Sequence, residues 1–392
     1  MKQKNCKQTE NLILIIPFLC ITVFFFVLSF LYPKYTLSLT ENRMLAQPPV
    51  LSRQTIASFP GDFEKYFNDQ FPGREKFLKL FSRLQLVSGK IKVRNLYIVN
   101  GFLLPQEYLY SDSDLAVSAE KTGALMRYIA SVGKKGCYVS LPYKTSVYND
   151  MLPAYIQNNF GELNYMNFVG RLDPGIKTCD AFRCYQGRDS LEQYFFKTDL
   201  HWNAKGAAVA YQYILQWLYE EKFIDSPVHS KLNFDFAYIE DTPYMGDLNR
   251  RFSYLFSTHE TIPVFNSGEK PVQYYLSYDS DQYTLDKDEI TDQSLNDGSE
   301  NYNSVYTLNR GYYKMVSRDA LLDTGVLVIK DSMQDAMTEM FSSVFQTTEV
   351  VDIRYLEDTA LSQIIKDSEA GLVLLMYHQN NVTGDMFDFG IE

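Results

Sequence analysis

Two short segments of the chain carry the residue types of nucleophilic catalysis. Asp199 and His201 lie two positions apart, and Ser332 follows the apolar run 326–329. In an extended or turning segment, residues two apart point to the same side, so Asp199 can accept from one ring nitrogen of His201 while the other nitrogen faces Ser332. The three residues would then supply the orienting acid, the base and the nucleophile of a serine hydrolase or acyltransferase.

The surroundings of Ser332 also suit the stabilisation of an oxyanion. The apolar run before it predicts a strand, and the amphipathic stretch 333–345 after it predicts a helix. Free N–H groups and a positive dipole end gather where such a helix begins. The backbone N–H of Ser332 or Met333 is therefore the expected oxyanion donor, together with a side chain that the sequence does not identify.

Each of these patterns also has a simpler interpretation. A serine after a strand often only caps the next helix, and Asp199 can cap the helix predicted at 204–221. A histidine such as His201, placed just before a helix, is often a packed residue without chemistry. The presence of both patterns in one α/β domain favours catalysis.

Alternating strands and helices predict the fold that positions these segments. Such alternation is typical of βαβ units, so we expect an α/β domain whose parallel sheet is covered by helices. The segment at about 246–319 is rich in Asp, Asn, Ser and Tyr and is interpreted as a β-rich or looped insertion. The predicted elements are helix 114–132, strand 136–141, helix 204–221, strand 325–330, helix 333–345, strand 348–353, helix 357–368 and strand 372–377.

Composition and the N-terminal sequence limit the partners and the compartment. The chain has 392 residues and a net charge of -11, so it lacks the broad basic surface that nucleic-acid binding requires. Residues 12–32 are almost wholly apolar, long enough for a membrane-spanning helix, and lysines precede them. The predicted organisation is a cytoplasmic tail 1–11, a transmembrane signal anchor 12–32, an extracytoplasmic stalk 33–56 and a domain 57–392.

Four further residues are candidates for substrate binding. Arg354 follows the predicted strand 348–353, where a doubly wound sheet opens its ligand crevice, and the alternative is a salt bridge with Asp352 or Glu357. Tyr143 and Lys144 follow strand 136–141 and line the same crevice in this interpretation, whereas the alternative for Lys144 is a solvated side chain. Trp202 is either a stacking surface for a sugar ring or a packing anchor under His201.

A series of short motifs, in a specific order along most of the chain, resembles the DHHW-type proteins. These are related to the SGNH-like alginate O-acetylation proteins. The motifs lie at residues 41–43, 69–74, 142–144, 147–148, 152–153, 197–203, 244–248, 328–332 and 351–355. Leu200 stands where the family's namesake motif has its first histidine, and Lys330 where ordinary SGNH members have the glycine of Gly-Asp-Ser.

The resemblance implies an SGNH/flavodoxin-like three-layer fold with a parallel sheet and helices on both faces. It also implies a serine acyl-enzyme mechanism in which Ser332, His201 and Asp199 form the triad. No cofactor and no metal ion are expected. The acyl donor would reach the site through a partner, by resemblance a membrane-bound O-acyltransferase.

The sequence thus predicts a membrane-anchored extracytoplasmic O-acetyltransferase that acts on hydroxyls of a cell-surface or secreted polysaccharide. Two alternatives stay open. A carbohydrate acetyl esterase would use the same triad with water as the acceptor. A non-catalytic binding or scaffolding subunit of a polysaccharide export complex would not use it at all.

Overall fold

A computed structural model describes most of the chain and divides it into two compact units. The described residues are 2–38, 40, 43–266, 272–275, 283–284, 299–306, 310–356 and 359–391. The first unit comprises Met1–Arg94 and Arg250–Leu255, and the second comprises Asn95–Asn249 and Phe256–Glu392. The predicted beginning of the domain at residue 57 stays a prediction, and the predicted insertion at about 246–319 lies partly outside the described residues.

Helices occur in both units, and in the second unit they alternate with strands. The α-helices described are α1 Lys2–Leu31, α2 Phe59–Asp69, α3 Arg74–Val87, α4 Asp112–Ser131, α5 Lys144–Tyr148, α6 Phe160–Val169, α7 Ala204–Glu220, α8 Asp247–Arg250, α9 Tyr302–Tyr306, α10 Thr338–Val344 and α11 Leu361–Asp367. Short 3-10 helices lie at Asn149–Met151, Ala181–Tyr185, Leu191–Gln193, Val228–Ser230, Ser332–Met337, Ile353–Tyr355 and Asp385–Phe387.

The described strands range from two to nine residues in length. They are β1 Leu37–Ser38, β2 Arg43–Met44, β3 Lys92–Val93, β4 Leu96–Val99, β5 Phe102–Pro105, β6 Lys135–Leu141, β7 Thr178–Asp180, β8 Phe236–Pro243, β9 His259–Phe265, β10 Val272–Tyr275, β11 Tyr283–Thr284, β12 Tyr312–Ser317, β13 Leu322–Lys330, β14 Phe345–Val351 and β15 Leu372–His378.

The main sheet is mostly parallel, as predicted. Its strand order is β11-β10-β12-β14-β13-β15-β6-β7. The strands from β14 to β7 pair in parallel, and β12, β10 and β11 extend the sheet in antiparallel pairing. The central strands are near-continuous apolar runs because both of their faces are covered. The prediction of an α/β fold with a parallel sheet is therefore confirmed.

Helices cover both faces of this sheet and form two separate cores. Alternate residues of β13 point to opposite faces: Val326 and Val328 pack in the core that includes α7 and α10, whereas Leu327 and Ile329 pack with α4 and α11. The result is three layers, helix–sheet–helix. This arrangement places the carboxyl ends of the parallel strands at one edge of the sheet, where the site residues gather.

The prediction of a membrane anchor is wrong. The apolar stretch 12–32 lies within α1, but among the described residues none of the helices combines the length and the apolar character that crossing a membrane requires. Some of the apolar side chains of α1 make contacts within the chain, since the ring of Phe25 stacks on Phe71 and packs edge-on against Phe77. The predicted single-pass membrane localisation depended on this anchor and is therefore wrong as well.

A partly exposed polar clasp joins Arg43 to the motif at 69–74 in the first unit. Arg43 donates from both terminal nitrogens to the Asp69 carboxylate, at 2.8 and 2.6 Å, and the Ala46 N–H donates to the same carboxylate at 2.9 Å. The hydrogen bond with Arg43 lowers the pKa of Asp69 to about 2. Gln70, which is buried, bonds the backbone of Tyr35. These motifs therefore have a structural role.

We expect Asp69→Asn to lower the free energy of unfolding by about 1 kcal/mol near neutral pH, since a bidentate charged pair is lost. Because the pKa of Asp69 is depressed, its contribution is present above the ordinary value and is lost as the pH falls towards about 2. Urea unfolding followed by circular dichroism, near neutral pH and at about pH 3, measures the difference.

Asp173→Asn is the control, because Asp173 pairs with Arg127 at 3.1 Å but both side chains are mostly exposed. It should change the unfolding free energy by only a few tenths of a kcal/mol. Equal losses in the two variants, or a loss at Asp69 that does not shrink at acid pH, would contradict the account.

Candidate active site

The carboxyl edge of the parallel strands carries most of the predicted site residues. Ser332 follows β13, Arg354 follows β14, and Tyr143 and Lys144 follow β6. Asp199, His201 and Trp202 arrive at this edge on the segment that precedes α7. The chain runs from β13 outwards to β14 and then back to β15 on the other side of β13, so the edge is a topological switch point, where open α/β sheets bind their ligands.

Asp199, His201 and Ser332 form one hydrogen-bonded chain. The Nδ1 atom of His201 lies 2.7 Å from an Asp199 carboxylate oxygen, and its Nε2 atom lies 2.9 Å from the Ser332 hydroxyl. Since an ionised carboxylate only accepts, the proton on Nδ1 points to Asp199, and Nε2 is free to accept from the serine. The structure thus brings together the three residues that the sequence singled out.

The carboxylate of Asp199 is almost completely buried, and donors from several segments surround it. It accepts from the backbone N–H of His201 at 3.1 Å and of Asp247 at 2.9 Å, and from the Tyr244 hydroxyl at 3.4 Å. Burial alone would raise the pKa of Asp199, but the hydrogen bond and charge of His201 and the charge of Lys144 lower it below the ordinary value. The carboxylate therefore stays ionised beside His201.

The motif at 244–248 needs a glycine because its backbone passes very close to the segment that carries Asp199. A Cβ atom at Gly246 would overlap the backbone carbonyl of Thr198, next to Asp199. The Asn249 N–H also donates to the Thr198 carbonyl at 3.2 Å. Without a side chain at Gly246, the two segments come close enough for the Asp247 N–H to reach the Asp199 carboxylate.

Tyr302 fixes the histidine and the serine together, and sequence reasoning missed it. Its ring stacks on the imidazole of His201, with centroids 3.8 Å apart and planes 10° apart. Its hydroxyl donates to the Ser332 carbonyl at 2.9 Å and accepts from the Ala336 N–H at 3.1 Å. Tyr302 lies in a polar segment rich in tyrosine, so no pattern in the sequence distinguished it from its neighbours.

The turn that carries Ser332 is held by the residue before it. Asp331 accepts from the Met333 N–H at 3.0 Å through one oxygen, and from the His378 N–H at 2.8 Å and the Asn381 amide at 3.1 Å through the other. Of the two expected oxyanion donors, the Met333 N–H is therefore used inside the turn. Asp331 also ties the turn to the end of the neighbouring strand β15.

Lys330 lies in a buried network of charges below this turn. Its ammonium is 2.6 Å from Asp335, in the 3-10 helix after Ser332, and 3.1 Å from Asp352, at the end of β14. Burial opposes its charge, but the two carboxylates raise the pKa of Lys330. The lysine thus stays charged and joins three elements.

Two of the four substrate-binding candidates have no exposed surface. Trp202 is fully buried, and its indole N–H donates to the Met333 carbonyl at 2.8 Å. This position matches the packing-anchor alternative. Lys144 is also fully buried, so it is neither solvated nor open to the crevice. Their positions favour support of the site over contact with a substrate.

Of the other two candidates, Arg354 lies nearer the surface, whereas Tyr143 is only 6% exposed. Arg354 donates to both oxygens of Asp352, at 2.9 and 2.6 Å, while its side chain is 40% exposed, so the salt-bridge alternative is present together with an accessible guanidinium. Tyr143 stacks on His378 with centroids 4.8 Å apart. Among the described residues, no group of His, Cys, Asp or Glu side chains is arranged to hold a metal ion.

Comparison with known proteins extends these findings. Residues 96–272 match the family model of an SGNH hydrolase-like domain, that of the acetyltransferase AlgX. This segment contains Asp199, His201 and Lys144 and ends before Ser332. No curated protein matches the chain.

Solved structures share the fold. Bacillus cereus PatB1, in a structure with a sulfonyl adduct, has a TM-score of 0.64 at 20% identity, covering 75% of this chain and 99% of its own. A DHHW family protein from Eubacterium siraeum has a TM-score of 0.57 at 17% identity, covering 76% and 95%. The predicted resemblance to SGNH-like and DHHW-type proteins is therefore confirmed, through the family model over residues 96–272 and the fold that the solved structures share.

Proposed function

We propose that this protein is an O-acetyltransferase that moves an acetyl group to hydroxyls of a polysaccharide through an acyl-enzyme on Ser332. The observation that carries the proposal is the continuous hydrogen-bonded chain from Asp199 through His201 to Ser332. The acetyltransferase description of the matched family supports the choice of acyl group. The short distance between the serine and the histidine argues against a purely binding or scaffolding role.

The first half-reaction transfers the acetyl group to the protein. The Ser332 oxygen attacks the carbonyl carbon of the donor while Nε2 of His201 takes the hydroxyl proton. When the tetrahedral intermediate collapses, the bond between the carbonyl carbon and the leaving group breaks, and Nε2 returns the proton to that group. Asp199, ionised and hydrogen-bonded to Nδ1, stabilises the imidazolium that forms in between.

The second half-reaction repeats these steps with a sugar hydroxyl. Nε2 of His201 takes the proton of the acceptor, whose oxygen attacks the acetyl carbon, and the Ser332 oxygen leaves and recovers the proton. The proposed oxyanion donor is the Ser332 N–H, because the Met333 N–H donates to Asp331. With water as the acceptor the same steps make an acetyl esterase, which is the alternative outcome of the test below.

The substrates enter the proposal by chemistry. Arg354, partly exposed beside the site, and Tyr143 are the proposed contacts for the acceptor. The acetyl donor is proposed to come from a partner O-acyltransferase, because an acyl-enzyme on Ser332 forms only from an activated acyl group. The proposed chemistry needs no cofactor. Arg354 can contact the acceptor while it stays paired with Asp352, since its guanidinium has a further terminal nitrogen.

We expect the full chain to release 4-nitrophenol from 4-nitrophenyl acetate and to react with a serine-directed phosphonate at Ser332. Ser332→Ala and His201→Ala should each lower turnover by about a thousandfold or more, because a triad member is lost. Spectrophotometry measures turnover, and mass spectrometry locates the label. Ser343→Ala, which removes a buried hydroxyl that donates to the backbone of its own helix, should keep wild-type turnover.

The same preparation separates the transferase from the esterase. Acetyl groups found on added polysaccharide by mass spectrometry support the transferase, and free acetate at an unchanged rate supports the esterase. Wild-type turnover no higher than that of Ser332→Ala, together with no label on Ser332, would refute the proposed function.

A second prediction tests how Tyr302 holds the site. Tyr302→Phe keeps the ring over His201 but removes the hydroxyl that bonds Ser332 and Ala336. We expect it to cost about 1 kcal/mol of stability and to lower turnover about tenfold, because the peptide of the nucleophile is no longer fixed. Thermal unfolding and the ester assay measure the two effects.

Tyr306→Phe is the matched control for this change. The hydroxyl of Tyr306 likewise makes two backbone hydrogen bonds, donating to Pro263 at 2.5 Å and accepting from Ala204 at 3.3 Å. It should lose similar stability with little loss of turnover. If both variants lose turnover in proportion to stability, Tyr302 has no specific role at the site.

A further inference from the structure

Lys144 has an unusual environment for a lysine near a crevice. It is the first residue of α5, three positions after the end of β6 at Leu141, and its side chain is fully buried. Its ammonium donates to the backbone carbonyls of Phe196 and Lys197, both at 2.8 Å, and of Asp199 at 2.6 Å. An ammonium has three N–H donors and no acceptor, so all of its hydrogen-bonding capacity is used.

The three carbonyls belong to the loop that carries the acid and the base. The loop is closed at its base, where Phe195 pairs with Trp202 and the Phe196 N–H donates to the His201 carbonyl at 3.4 Å. Carbonyl groups that converge in a buried loop repel one another and need a donor. The ammonium of Lys144 occupies this place and donates to all three carbonyls.

We propose that Lys144 is a positioning residue, whose ammonium gathers three carbonyls and so holds the Asp199 carboxylate on Nδ1 of His201. The inference rests on the proposed function for its catalytic consequence. It replaces the predicted contact between Lys144 and a substrate, because no atom of this side chain faces the crevice.

Electrostatics agree with the geometry. The charge of Lys144 contributes to the low pKa of Asp199. Burial lowers the pKa of Lys144 itself to about 7, against the raising effect of Asp199 and Glu260. Three carbonyl acceptors can all be satisfied only by the ammonium form, since a neutral amine has two N–H donors. The loop as it stands therefore contains the charged lysine.

Lys144→Met tests the proposal, because methionine fills a similar volume and donates no hydrogen bond. The first readout is the downfield proton resonance of Nδ1–H of His201, which reports the hydrogen bond with Asp199 and does not depend on turnover. We expect this resonance to disappear or to move upfield. The second readout is ester turnover, where we expect kcat to fall about a hundredfold with a much smaller change in KM.

Lys134→Met is the matched control. Lys134 also bonds two backbone carbonyls, those of Ser368 and Ala370, but it lies just before β6, at the opposite end of that strand. It should leave both readouts at the wild-type value. Lys144→Gln, which keeps two N–H donors, serves where the methionine variant does not fold, and should show an intermediate kcat and a shifted resonance.

The outcomes separate this inference from the proposed function. A lost or shifted resonance in the Lys144 variants, with an unchanged one in Lys134→Met, supports the positioning role even if no acetyl transfer is found. A wild-type resonance in folded Lys144→Met or Lys144→Gln overturns it, whatever happens to turnover. Equal effects of Lys134→Met and Lys144→Met on both readouts overturn it as well.

Discussion

The structure around the site depends on one buried charge, the carboxylate of Asp199. An ionised group with almost no access to water is stable only if protein groups provide its hydrogen bonds and a compensating charge. The donors here are the ring and backbone of His201, the Asp247 N–H and the Tyr244 hydroxyl, with the ammonium of Lys144 behind them. Segments far apart in the sequence must therefore meet at this point.

A second set of buried charges holds the other half of the site. Asp331 fixes the Ser332 turn to the end of β15. Below the turn, the ammonium of Lys330 pairs with Asp335 and Asp352. The proposed base is thus supported by one buried network and the proposed nucleophile by another, and the two meet in the hydrogen bond between His201 and Ser332. A reactive geometry set from both sides requires little reorganisation when the chemistry begins.

The sequence could predict the features that depend on local pattern. The apolar runs located the central strands, and β13 and β15 lie where they were expected, within a few residues at their ends. The spacing of Asp199 and His201 predicted that their side chains would meet, and they do, because the two residues share one segment. The helix expected at 333–345 begins instead as a 3-10 helix, at whose start Asp331 accepts from the Met333 N–H.

Features that depend on tertiary contacts could not be read in the same way. Tyr302 stacks on His201 from a distant segment, and the hydrocarbon chain of Lys144 gives no sign that its ammonium is buried. The apolar stretch in α1 has the composition of a membrane anchor, yet Phe25 packs on Phe71 and Phe77. The composition of an apolar stretch does not show whether its side chains contact lipid or other residues of the chain.

The lysine at position 330 shows how a departure from the family pattern fits the physical account. Along β13 the side chain of Lys330 has the same parity as Val326 and Val328, and it contacts Asp335 and Asp352 on that side of the sheet. Its charge therefore supports the nucleophile turn from within and does not enter the crevice. A glycine there would remove the ammonium that pairs with both Asp335 and Asp352, and Asp352 would keep its pair with Arg354. The lysine is consequently part of the frame, and the donors for an oxyanion have to be sought around the Ser332 N–H.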